Sequence, residues 1–163
     1  MKSRGGNTRK RAPSRASQRS SGSKPQQAAP EIKPRIGVEA VVERTVTHEL
    51  TIQHLNAALP PVFSTPAMIG LMEHATVQAV LPELPAGFIT VGTRIEVDHL
   101  KAVAPGAPVR AWARLAGYQG RFLVFDVEAR SGEHVIGRGR VFRAIVNPEE
   151  HKQRAQSRVP QSP

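Results

Sequence analysis

Between residues 36 and 147 the apolar positions follow two different periods. Residues 64–81 follow the helical one. At 100° per residue Met68, Leu71, Met72, Ala75, Thr76 and Ala79 fall on one broad arc, with Ile69 and Val80 at its edge. Ser64 and Thr65 supply N-cap hydroxyls, Pro66 suits the first turn, and Pro82 and Pro85 stop the helix. The flanking stretches follow the two-residue period of strands. Residues 41–52 are β-branched and alternate imperfectly, which predicts a first strand, followed by a loop containing Pro60 and Pro61. Residues 88–101 alternate, with Ile89, Val91, Ile95 and Val97 expected on one face. Residues 109–118 set Val109, Ala111, Ala113 and Leu115 against Arg110, Trp112 and Arg114. Leu123, Phe125, Val127 and Ala129 alternate next, and residues 134–146 form a last strand. Turn residues at 104–106, 117–121 and 131–132 separate these runs.

One strand, one long helix and four sequential strands predict an α+β fold: an antiparallel sheet with the helix on one face. A sheet wrapped around a single helix is the hotdog arrangement. Its open edge strand commonly pairs with a second copy, so a homodimer is expected.

Charge divides the chain into three. The formal charge is +10, but residues 1–35 hold ten Lys/Arg against Glu31 alone, whereas residues 36–147 hold ten of each sign. The basic tail has almost nothing apolar to bury, so it is expected to be disordered, as is the short tail at 148–163. A polybasic arm of this kind supports at most a weak contact with nucleic acid or an anionic surface. It lacks the apolar face of a transit peptide, and no stretch has the length of a membrane span. Without cysteine there is neither a disulfide framework nor a thiolate metal site, and neither a metal nor a cofactor is expected. The default expectation is a cytoplasmic protein with one folded domain, 36–147.

Three residues in that domain could carry chemistry, and each also has a plain structural explanation. Glu73 lies at the border of the apolar arc, where partial desolvation suits a carboxylate to act as a base near neutral pH; it is also placed to reach solvent as an ordinary edge glutamate. His99 shares parity with Ile89, Val91, Ile95 and Val97 and points inward, as a core histidine would. Thr65 is most simply a helix cap. What distinguishes them is that a sheet folded over a helix brings a helix start and an inward strand residue together.

The run Val62-Phe63-Ser64-Thr65, followed by Met68-Ile69-Gly70-Leu71-Met72-Glu73-His74-Ala75, resembles the helix of the fluoroacetyl-CoA thioesterase family. Thr90-Val91-Gly92-Thr93, then Val97-Asp98-His99 and Pro105-Gly106, resemble the family's next strand, and Arg143-Ala144-Ile145-Val146 its last. The likeness covers roughly residues 36–150. It implies a dimeric hotdog hydrolase of acyl-CoA thioesters without a cofactor. By the same resemblance Thr65, Glu73 and His99 are catalytic, and Gly92 and Arg143 help position the acyl group or its carboxylate. Two departures limit the substrate. The family's selectivity for fluoroacetyl groups is associated with an aromatic lid before the helix, where this chain has HLNAALPP without a Phe, Tyr or Trp. Pro66 follows Thr65 where the family has Gly. A short- or medium-chain acyl-CoA is therefore the expected substrate class. Arg94, Arg121, Arg138 and Arg140 are candidates for the CoA phosphates, or simply members of a solvated sheet face.

Three other functions compete: a hotdog module that binds acyl-CoA or an acyl carrier without turnover, a dimerising platform for the basic tail, and a hydratase. The last needs an Asp and a His a few residues apart in a hydratase-type loop, and the expected helix context contains no such pair.

Overall fold

The computed structural model describes residues 32–158. The chain runs β1 (Glu39–Thr45), a short helix α1 (Ile52–Leu55), the long helix α2 (Thr65–Val80), β2 (Ile89–His99), β3 (Pro108–Gln119), β4 (Phe122–Ser131), β5 (His134–Val146) and α3 (Pro148–Gln156). The five strands form one antiparallel sheet in the order β1-β3-β4-β5-β2, and α2 lies across one face. This is the hotdog arrangement expected from the patterning.

Alternation places the core. Val109, Ala111, Ala113 and Leu115 of β3 and Leu123, Phe125, Val127 and Ala129 of β4 are buried against Met68, Leu71, Met72, Ala75 and Ala79 of α2. The opposite face is charged, and its register sets Glu39, Arg114, Asp126, Arg140 and Glu96 side by side across all five strands with alternating sign. Opposite charges on neighbouring strands stabilise that pairing modestly and disfavour a shifted register.

Four expectations need correction. Residues 46–52 do not extend the first strand. Val46 exchanges backbone bonds with the turn at Gly106 and Ala107, and the Thr51 hydroxyl donates to His48 O (2.6 Å), closing a tight 3-10 turn at His48–Leu50. The β-branched residues there are buried anchors: Val46 and Thr51 are each 1% exposed. Second, Ile89 and Val91 do not share a face with Ile95 and Val97. The register between β2 and β5 shifts between Gly92 and Arg94, leaving Thr93 as an extra residue, and such a bulge reverses which alternate residues face the core. Third, 148–163 is not wholly irregular: Asn147 accepts from the amides of Glu149 and Glu150, Pro148 occupies the first turn, and α3 follows with no buried residue. Fourth, the ordered fold reaches back before residue 36. Arg35 donates from its amide and its Nε to Glu83, and Tyr118 donates to Pro34 O. The rest of the basic tail, residues 1–31, lies outside the described residues, as do residues 159–163.

Candidate active site

The helix start separates two adjacent hydroxyls that the sequence left equivalent. Ser64 is the N-cap, and its side chain accepts from Ala67 N (3.3 Å). Thr65 is therefore not needed as a cap. Its Oγ1 lies 2.8 Å from Nδ1 of His99 at the end of β2, and that bond can run in either direction according to the imidazole tautomer. The other ring nitrogen, His99 Nε2, is buried and has no hydrogen-bond partner among the described residues.

Glu73, eight residues further on, makes a second cluster. Its Oε1 accepts from Arg143 Nη1 (3.0 Å) on β5, and its side chain is 32% exposed. Arg143 is 5% exposed and each of its nitrogens is engaged: Nε donates to Thr90 Oγ1 (2.9 Å) and Nη2 to Thr90 O (2.9 Å). Burial pushes the guanidinium below its usual value, while the carboxylate of Glu73 pulls it back up. An arginine stays protonated under such a load, so the pair is a true ion pair.

Gly92 completes this cluster by what it lacks. A Cβ there would lie 2.3 Å from Glu73 Oε1, well inside contact distance. The absent side chain is thus the space in which the carboxylate sits. The bulge at Thr93 explains how Gly92 and His99 both face α2. They are seven residues apart, and in an unbroken strand an odd interval puts side chains on opposite faces. One extra residue restores both to the helix side.

All five residues expected from the sequence thus line the seam between α2 and the β2/β5 edge, in two groups. Thr65 is joined to His99, and Glu73 to Gly92 and Arg143; no hydrogen bond joins one group to the other. Along the helix axis the groups are ~12 Å apart at the Cα level. Helical side chains lean toward the N-terminus, which brings the Glu73 carboxylate back toward Thr65. Arg143, open in the sequence between a substrate contact and a paired interior arginine, is paired and interior. Sequence reasoning missed Thr90, whose signal was a hydroxyl two residues before a strand glycine. A separate cleft of about 250 Å³, between Arg44 of β1 and Ala67, Leu71 and His74, opens on the other flank of α2.

Of the basic residues considered for phosphates, Arg140 pairs with Asp126 (3.3 Å) and Arg94 with Glu96. Arg121 lies over the ring of Phe122. These sit on exposed surface, where pairing contributes little. No group of side chains with metal-ligand character occurs among the described residues, and no described helix is long and apolar enough to cross a membrane.

Residues 43–149 match the model of the fluoroacetyl-CoA-specific thioesterase family. The chain belongs to that family. A fluoroacetyl-CoA thioesterase of Streptantibioticus cattleyicolor is 35% identical over 132 residues, covering 77% of this chain and 95% of that protein. A crystal structure of the fluoroacetyl-CoA thioesterase superposes with a TM-score of 0.73 at 34% identity, over 78% of this chain and 99% of that one. A hot-dog-like protein of Thermanaerovibrio acidaminovorans shares the fold alone, with a TM-score of 0.71 at 23% identity over 79% of this chain and 96% of that one. Family membership makes this protein a thioester hydrolase of hotdog fold, and the fluoroacetyl-CoA-specific thioesterase family is the frame for its site.

Proposed function

We propose that the protein hydrolyses short- or medium-chain acyl-CoA to the free acid and CoA, with Glu73, His99 and Thr65 as its catalytic residues. The observation that carries this reading is the Glu73 carboxylate held in the Gly92 notch by Arg143. One oxygen, Oε1, is tied to the guanidinium, and Oε2 has no partner among the described residues. A carboxylate fixed on one side and open on the other is ready to act on a carbonyl carbon. It does so by direct attack, giving a transient anhydride, or by taking a proton from an attacking water. His99 is anchored through Nδ1 to Thr65, and its buried Nε2, without a partner among the described residues, is the nitrogen left to protonate the departing thiolate once substrate reaches it. The role left to Gly92 and Arg143 is to seat and orient Glu73 rather than to touch the acyl group.

The substrate class follows from the stretch before α2. Residues 54–61 carry no Phe, Tyr or Trp and are exposed throughout, so no such side chain there covers a fluoroacetyl group. β2 is an edge strand with no strand on its far side among the described residues, and Ile89, Ile95 and, just past its end, Leu100 stand exposed. We assign that edge to a second copy of the chain, which would shield the α2/β2 seam from water.

The test is a free-thiol release assay across acyl-CoA chain lengths. Hydrolysis of short or medium chains, with at most weak preference for fluoroacetyl-CoA, is expected. Stoichiometric acyl-CoA binding with no turnover at any length would instead identify a binding module.

A further inference from the structure

We infer that Thr90 is a positioning residue: it holds the Arg143 guanidinium at two points and so aims its third nitrogen at the Glu73 carboxylate. This rests on the proposed catalytic role of Glu73 and extends it by one residue.

A guanidinium is a rigid planar fork, and its orientation is defined once two of its nitrogens are fixed. In this protein a single residue does both. The Thr90 hydroxyl accepts from Nε and the Thr90 carbonyl accepts from Nη2, each at 2.9 Å, on the guanidinium edge away from Glu73. Nη1 is the nitrogen left over, and it reaches Glu73 at 3.0 Å. Thr90 is itself 7% exposed, so its hydroxyl has no competition from bulk water. Strand pairing reinforces the arrangement: Thr90 lies opposite Ile145 and Gly92 opposite Arg143, which puts the clamp and the notch on adjacent inward positions of one strand. A guanidinium held at one point could swing within its plane. Held at two, it presents Nη1 in one place, and Glu73 Oε1 is fixed between that nitrogen and the Gly92 backbone.

The experiment compares Thr90→Val, which keeps shape and removes the hydroxyl, with Thr90→Ser, which keeps the hydroxyl. Thermal melts confirm folding, with Thr90→Ala as a second hydroxyl-free variant. Thr90→Val should lower kcat about tenfold with KM changed less than twofold, and Thr90→Ser should keep most of the wild-type rate. In an Arg143→Lys background Thr90→Val should cost nothing more, because the group it aims is gone. Independently of activity, the Arg143 Nε–H resonance should be sharp and protected from exchange in wild type and Thr90→Ser, and lost in Thr90→Val. A wild-type kcat in Thr90→Val, failure of serine to rescue, or a further loss in the Arg143→Lys background overturns the inference. An Arg143 Nε–H resonance unchanged in Thr90→Val also overturns it. Absence of turnover in the wild type, with the resonance behaving as expected, removes the catalytic reading instead and leaves the clamp as a structural fact.

Discussion

At the scale of single residues, the site depends on what small groups leave open. Gly92 tolerates no side chain because Glu73 Oε1 occupies the place of its Cβ. Gly92→Ala should therefore displace the carboxylate, lowering kcat ~10–100-fold while the melting temperature moves little, since Glu73 is partly exposed and can swing outward. His99→Ala should lose ~100-fold or more, as removal of a proton-transfer group does, and Thr65→Ala less, because it removes only the anchor of the ring. Steady-state kinetics on one acyl-CoA substrate checks all three. Much of this was legible beforehand: the position of Glu73 at the border of the apolar arc follows from helical periodicity alone. Thr65 and Ser64 were not distinguishable, because either hydroxyl satisfies an N-cap and only the fold shows that Ser64 takes that role. Thr90 was not legible at all, since its function depends on a residue 53 positions away.

At the scale of elements, β2 carries the functional weight through its irregularity. The bulge at Thr93 is what lets Thr90, Gly92 and His99 all face α2, and the Thr93 hydroxyl, which donates to Phe142 O (3.1 Å), pins it. Deleting Thr93 should turn either the Gly92 end or the His99 end away from the helix. The expected outcome is a loss of activity as severe as His99→Ala, with far-UV circular dichroism unchanged. Two-residue alternation cannot show a bulge, which is why Ile89 and Val91 were placed on the wrong face while the strand itself was found. A different glycine serves stability: a Cβ at Gly139 would lie 2.0 Å from Glu96 O, so Gly139→Ala should destabilise by ~1–3 kcal/mol in a denaturant titration. The strap before β1 is tied to Glu83 through Arg35. Hydrogen bonds from Arg35 hold the Glu83 carboxyl below its ordinary value of 4.5. A lowered carboxylate stabilises the fold above its ordinary value, and that contribution disappears as pH falls through the lowered one. The Arg35 amide and Nε–H chemical shifts should therefore keep their hydrogen-bonded positions at pH 4.5 and move only in more acid solution, as Glu83 takes up its proton.

At the scale of the whole molecule, charge is unevenly distributed along the chain. The domain at 36–147 is electrically balanced, and the excess of basic residues lies in 1–35. Exposed apolar side chains occur at several places on the described surface, and those on the β2 edge are Ile89 and Ile95, the latter 41% exposed. If that edge joins two copies, Ile95→Lys should convert a dimer to a monomer by light scattering and lower activity with it. The order of elements, the antiparallel sheet and the covering helix were readable from two periodicities and a handful of turn residues, because β3 and β4 bury every second residue and α2 buries one arc. Strand order was not, since nothing local places β2 beside β5. Glu73 is the residue on which the proposed hydrolysis turns. Free-thiol release from a short-chain acyl-CoA should fall ~100-fold or more in Glu73→Gln, with an unchanged melting profile. A Glu73→Gln variant that releases thiol at the wild-type rate would contradict it.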